Sequence, residues 1–126
     1  MNKKSEVSRP KLGKEFGVHF IVELIGCPPD KLAKVDEAQK IMVEVVQKAK
    51  SKMVGSCFHQ FTPQGASGVI LIQESHFSVH TWPEEGYAAA DIFTCGEEMD
   101  PYVAMEVMKE MFGAREIRYQ EIGRGF

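Results

Sequence analysis

The sequence predicts an α+β fold: a two-layer sandwich, with a mostly antiparallel sheet carrying its helices on one face. Three observations predict it. Two stretches repeat apolar residues at helical spacing, and six others alternate or fill with β-branched and aromatic residues. Their order, β-α-β-β-β-β-α-β, bunches four strands at hairpin intervals, which favours antiparallel pairing. At 126 residues the chain is read as one domain, 1–126, with a single core.

Taken in order, residues 1–15 are polar and read as a loosely ordered lead-in. Phe16, Val18, Phe20, Ile21, Val22 and Ile25 mark a first strand over Phe16–Ile25, ended by Gly26-Cys27-Pro28-Pro29. Asp30 is the expected N-cap of a helix of about five turns. Its buried stripe is Leu32, Val35, Ala38, Ile41, Met42, Val45, Val46 and Ala49. The period then changes to two. Strands are expected over Lys52–Phe61, Val69–Ile72, Phe77–Trp82 and Ala88–Thr94, with a loop at Thr62–Ala66 and a turn at Pro83-Glu84-Glu85-Gly86. Asp100-Pro101 supplies N-cap and first residue for a second helix, its stripe being Ala104, Val107, Met108, Met111 and Phe112, and Gly113 ends it. Ile117–Ile122 is the last strand. Strand order within the sheet is not set by the pattern.

Composition excludes several classes. Lys and Arg number 15 against 18 Asp and Glu, a net charge of −3, so no basic surplus exists to release counterions from nucleic acid. No apolar run approaches a membrane span, and the N-terminal residues lack the apolar centre of a signal peptide. Three scattered cysteines, Cys27, Cys57 and Cys95, make neither a disulfide framework nor a CxxC motif, which predicts a reducing cytoplasm. No nucleic acid or membrane partner is expected.

One stretch concentrates chemistry: Glu74-Ser75-His76-Phe77-Ser78-Val79-His80-Thr81-Trp82-Pro83-Glu84, followed by Asp91-Ile92-Phe93-Thr94-Cys95-Gly96. Each residue also has an ordinary reading: serine as a turn residue, strand histidine as a local hydrogen-bond partner, Cys95 as core filler, Trp82 as core or interface. A metal site is poorly supported. Cys57 and His59 share a pleat face but offer two ligands, and His76 and His80, four apart on a strand, lie about 13 Å from each other. No metal is expected. No GxSxG elbow is present for a serine hydrolase.

The string Glu-Ser-His-Phe-Ser-Val-His-Thr-Trp-Pro-Glu-x-Gly-Tyr-Ala-Ala-x-Asp-x-Phe-Thr-Cys-Gly resembles the signature of the bacterial and archaeal S-adenosylmethionine decarboxylase proenzymes. The likeness extends through Phe58-His59-Gln60-Phe61 and Ser67-Gly68-Val69 and covers about residues 13–124. It implies a self-cleaving, pyruvoyl-dependent enzyme that acts on S-adenosylmethionine, a small molecule, and supplies the aminopropyl donor for spermidine. Cleavage between Glu74 and Ser75 would give a β chain (1–74) and an α chain (75–126). Ser75 would become the pyruvoyl group that holds the substrate amine as a Schiff base, without pyridoxal phosphate. By the same resemblance His80 takes the Ser75 α-proton during processing, Ser67 assists cleavage, and Cys95 returns a proton to the substrate carbon. Phe61 and Trp82 match positions flanking the adenine, and Glu84 the carboxylate on the ribose hydroxyls. Relatives form dimers with shared active sites, so a homodimer of cleaved αβ protomers is implied.

Two alternatives stay open at this stage. An arginine or ornithine decarboxylase could use the same scaffold, against which Phe61, Trp82 and Glu84 argue. An unprocessed, non-catalytic binding module is the other, against which the intact Glu74-Ser75 pair argues. Glu85 and Gln64 depart from the family pattern near the substrate positions. The pleat adds a condition: Ser75 and His80, five apart, face opposite sides of any continuous strand, so they can cooperate only if the chain bends near Ser75, as a self-cleaving turn would need.

Overall fold

The computed structural model describes residues 13–73, 75–95 and 98–126. Most of the expected lead-in, Glu74 and Gly96 therefore lie outside the described residues. The elements are β1 (Glu15–Ile25), α1 (Val35–Lys48), β2 (Met53–Gln60), β3 (Ala66–Ile72), β4 (Ser75–Trp82), β5 (Tyr87–Thr94), α2 (Pro101–Phe112) and β6 (Glu116–Gly125). The six strands form one sheet in the order β2-β3-β4-β5-β1-β6, and every neighbouring pair is antiparallel. This is the expected α+β two-layer arrangement, and the sheet is antiparallel throughout.

Alternation decides which face is covered. In β4, Ser75, Phe77, Val79 and Thr81 are buried, while His76, Ser78, His80 and Trp82 are more accessible. The buried set looks toward the helices. Phe20, Val22 and Leu24 of β1, Ile70 of β3 and Ile92 of β5 join Phe77 and Val79 there. They pack under Ile41, Met42 and Val45 of α1 and Ala104, Met108 and Phe112 of α2. The opposite face is left uncovered, with Val69 at 41% exposure and Leu71 at 53%.

Several boundaries differ from expectation: β4 begins at Ser75 rather than Phe77, β6 runs on to Gly125, and two further differences bear on the site. Asp30 does not cap the first helix. Pro28 and Pro29 start a 3-10 turn at Pro29–Lys31, the chain leaves it at Leu32, and α1 begins after Lys34, which makes no side-chain cap. The helix is thus 14 residues, about four turns rather than five. Ala66, Ser67 and Gly68, expected around a loop, are already β3, because they pair with both β2 and β4. Gly68 is required there: a Cβ would fall 2.0 Å from Cδ2 of Phe58, whose ring lies across it. The second helix follows expectation. Asp100 accepts hydrogen bonds from the N–H groups of Tyr102 and Val103, and Gly113 closes the helix at φ 69°.

Candidate active site

The antiparallel order sets which strand ends meet. The end of β2, the start of β3 and the end of β4 lie together at one end of the sheet. Ser67 of β3 and His80 of β4 are cross-strand partners, and the Ser67 hydroxyl lies 2.6 Å from His80 Nδ1. Just beyond, β2 runs into Phe61 and β4 into Trp82 and a 3-10 turn carrying Glu84. Phe61, Ser67, His80, Trp82 and Glu84 line a single cleft of about 300 Å³, together with Gln64 and Thr81. That volume is at the lower end of the roughly 300–1,000 Å³ usual for small-molecule sites. Phe61 is 46% and Trp82 41% exposed, so two aromatic surfaces stand open to a ligand.

Gln64 Nε2 donates to Glu84 Oε1 at 3.5 Å across the cleft mouth. Behind Trp82, Tyr87 stacks on the indole with ring centroids 5.3 Å apart and planes 24° apart. The Tyr87 hydroxyl donates to the Glu23 carboxylate of β1. That bond, then burial and the negative charge itself, pushes the Tyr87 hydroxyl up to about 12. The sequence reading missed this support, because the partners are 64 residues apart.

Ser75 lies at the other end of β4. It is 8% exposed on the helix side and pairs with Thr94 of β5 and Ile72 of β3. The Ile72–Ser75 pairing leaves only Gln73 and Glu74 to connect β3 and β4. Cys95 follows Thr94, and its backbone N–H donates to Ser75 Oγ at 3.3 Å. Cys95 is exposed, whereas Cys27 is buried, with its thiol pushed up by desolvation. The structure therefore brings Ser75 to Cys95, and Ser67 to His80, Phe61, Trp82 and Glu84, but it keeps the two groups apart. The bend needed to join them is absent from the described residues: β4 keeps unbroken register with β5 from Ser75 to Trp82. Ser75 and His80 stand on opposite faces, separated along the strand by about 16 Å.

A further cluster on the open face was not anticipated. His19 Nε2 is 3.3 Å and His76 Nε2 3.7 Å from the Asp91 carboxylate, which also accepts a 2.7 Å hydrogen bond from Ser78. Among the described residues these three form the one group compact enough to hold a metal, their ligand atoms lying within 4.8 Å. Arg124 argues against that use. Its guanidinium, 3.4 Å from His19 Nδ1, is always a donor, so Nδ1 accepts and Nε2 carries the hydrogen. His19 then turns an N–H, not a lone pair, toward the Asp91 carboxylate. Cys57 and His59, the pair weighed from sequence, lie on the edge strand β2.

Comparison with known proteins bears on the whole chain. A family model described as S-adenosylmethionine decarboxylase matches residues 18–125. The S-adenosylmethionine decarboxylase proenzyme of Clostridium kluyveri is 46% identical over 111 residues, covering 88% of this chain and 88% of that protein. The proenzyme of Caldicellulosiruptor saccharolyticus is 48% identical over 110 residues, 87% of this chain and 89% of that one. An archaeal proenzyme, from Pyrococcus abyssi, is 44% identical over 110 residues, covering 87% and 79%. The crystal structure of the adenosylmethionine decarboxylase from Aquifex aeolicus superposes with a TM-score of 0.83 at 34% identity, covering 90% of this chain and 94% of that one.

Proposed function

Since the chain belongs to the S-adenosylmethionine decarboxylase family, we propose that it cleaves itself at Glu74-Ser75 and then decarboxylates S-adenosylmethionine as a pyruvoyl enzyme. The observation that carries this reading is the convergence of Phe61, Ser67, His80, Trp82 and Glu84 on one cleft. Two open aromatic faces suit adenine, a carboxylate at the mouth suits ribose hydroxyls, and both suit a cationic sulfonium. An arginine guanidinium could stack on an aromatic face, but neither arginine nor ornithine carries ribose hydroxyls for the carboxylate at the mouth.

Processing uses the chain's own groups. Ser75 Oγ attacks the Glu74 carbonyl carbon, the Glu74–Ser75 C–N bond breaks, and the nitrogen takes a proton, leaving an ester. His80 removes the Ser75 α-proton as the Cβ–O bond breaks, releasing the Glu74 carboxylate as the end of the β chain. Water then converts the remaining enamine to a ketone and frees ammonia. The 3.3 Å bond from the Cys95 backbone N–H to Ser75 Oγ supports this reading, since it sets the reacting hydroxyl against the backbone of the residue that carries the thiol. The pyruvoyl carbonyl supplies the electron sink when carbon dioxide leaves. Cys95 delivers the proton to the substrate carbon as general acid. Ser67, hydrogen-bonded to His80, orients the imidazole and assists cleavage.

Ser75 and His80 cannot meet within one protomer, so the site is completed by a second copy. We assign the working unit as a homodimer of cleaved αβ protomers, one contributing Ser75 and Cys95, the other the Ser67–His80 cleft. The second copy has to approach Ser75 from the end of its strand, because that side chain looks toward the helix layer and not toward the uncovered face. Three free cysteines accord with a cytoplasmic setting. The test of substrate is a side-by-side assay of processed enzyme. Carbon dioxide release from S-adenosylmethionine should exceed that from arginine or ornithine by orders of magnitude; the reverse preference overturns the assignment.

A further inference from the structure

The segment from the 3-10 turn to the first residue of α1, Leu32–Val35, is held by two side chains that come from the strands bounding the cleft. Gln60, the last residue of β2, accepts the Val35 N–H on Oε1 at 2.7 Å. Its Nε2 faces three carbonyl oxygens: Gly65 at 2.8 Å, Ala33 at 2.9 Å and Phe61 at 3.1 Å. Thr81 of β4, 6% exposed, donates to the Leu32 carbonyl at 2.7 Å and accepts the Ala66 N–H at 2.9 Å. Backbone bonds close the same unit, from Phe61 N–H to the Gly65 carbonyl and from Gly65 N–H to the Ala33 carbonyl. The loop 61–65 carries Phe61 and Gln64, and Gln64 in turn reaches Glu84. The side-chain ties between this segment and the strands that bound the cleft thus come from Gln60 and Thr81, beside the one backbone bond from Gly65 to Ala33.

We propose that Gln60 is a positioning residue for the substrate cleft: its amide ties the Phe61–Gly65 loop to the start of α1 and so fixes the separation of Phe61 from Trp82. The inference rests on the cleft being the adenosine site. The amide is needed for both of its functions. Its oxygen serves the helix N-terminus, where Lys34 provides no side-chain cap. Its NH₂ fork serves the carbonyls of Ala33 and Gly65, which lie on opposite sides of the loop's closure. A carboxylate of the same shape separates the two. Glu at this position keeps the acceptor for Val35, and its charge is favourable at a helix N-terminus, but it sets oxygen against three carbonyl oxygens. Gln60→Glu is therefore expected to keep the fold and release the loop.

Trp82 is the only tryptophan in the chain and lines the cleft, so its fluorescence reports occupancy directly. The probe is methylthioadenosine, which carries the adenosine but no aliphatic amine to form a Schiff base. Wild type should show saturable quenching. Gln60→Glu should raise the apparent Kd, and the KM for S-adenosylmethionine, about tenfold, with kcat and the extent of self-cleavage close to wild type. A purely structural role would lower the unfolding temperature without that split. Thr81→Val, which removes the second tie without changing shape, should move Kd in the same direction and serves if Gln60→Glu does not fold. Unchanged Kd and KM in a folded variant overturn the proposal. Failure of both variants to fold overturns it as well, since the residues would then hold the fold rather than the cleft. Absence of quenching in wild type refutes the adenosine assignment instead.

Discussion

Mixing two inactive variants tests the shared site, and the geometry fixes the expected numbers. Within a protomer Ser75 and His80 are separated by about 16 Å of strand and face opposite sides of the sheet. A base must come within roughly 2.6–3.2 Å of the proton it removes. Ser75→Ala and His80→Ala chains, distinguished by a small tag, should each remain uncleaved when made alone. Co-expressed at equal levels with random pairing, about half of the dimers are mixed. In each mixed dimer one site holds Ser75 of the His80→Ala chain and His80 of the Ser75→Ala chain, so it is intact; the other carries both changes. About half of the His80→Ala chains should therefore be cut, and the decarboxylase activity should reach about a quarter of wild type. The Ser75→Ala chain is never cut. Denaturing gels of the tagged mixture give the result. If the His80→Ala chain stays whole in purified mixed dimers, the site is not shared and the chain must bend to meet itself.

Two further outcomes are expected. Cys95→Ala should process but lose decarboxylation by roughly 10²–10⁴-fold, the usual contribution of a positioned general acid; turnover at the wild-type rate would overturn the general-acid assignment. Glu23→Gln should lower the titration of Tyr87 from about 12 toward the ordinary phenol range, read by tyrosinate absorbance. The sign follows from the folded value being the higher one: the Tyr87–Glu23 contribution is complete below pH 10 and is lost as pH rises toward 12, so an unchanged absorbance titration would refute the pairing.

Much of this molecule is legible in its sequence, and the limits are physical. Phe77, Val79 and Thr81 alternate with His76, Ser78 and His80, so both faces of β4 follow from period two alone. Asp100 and Gly113 mark α2 because capping is a local interaction. Asp30 misleads for the opposite reason. It has the residue type of a cap, but the helical path breaks between the 3-10 turn and α1, with Lys34 extended and the Leu32 and Ala33 carbonyls held by Thr81 and Gln60, 49 and 27 residues away. The cleft residues were found through their motif rather than their spacing, since Phe61 and Trp82 meet only because β3 returns between them. Tyr87–Glu23 and the His19–His76–Asp91 cluster join strands far apart in sequence, and only the strand order, which pattern does not encode, brings them together. Asp91 belongs to the motif, but His19 lies 72 residues before it and outside that motif.

Self-cleavage is the claim on which the rest depends, and an intact-mass spectrum of the purified protein tests it most directly. Two polypeptides are expected, one ending at Glu74 and one running from position 75 to Phe126. The second should be lighter by one ammonia than a peptide that begins with an ordinary serine, as a ketone in place of the amine requires. Ser75→Ala should give one full-length mass. A wild-type protein that remains a single chain of 126 residues after long incubation, or a 75–126 fragment that begins with unmodified serine, contradicts the account.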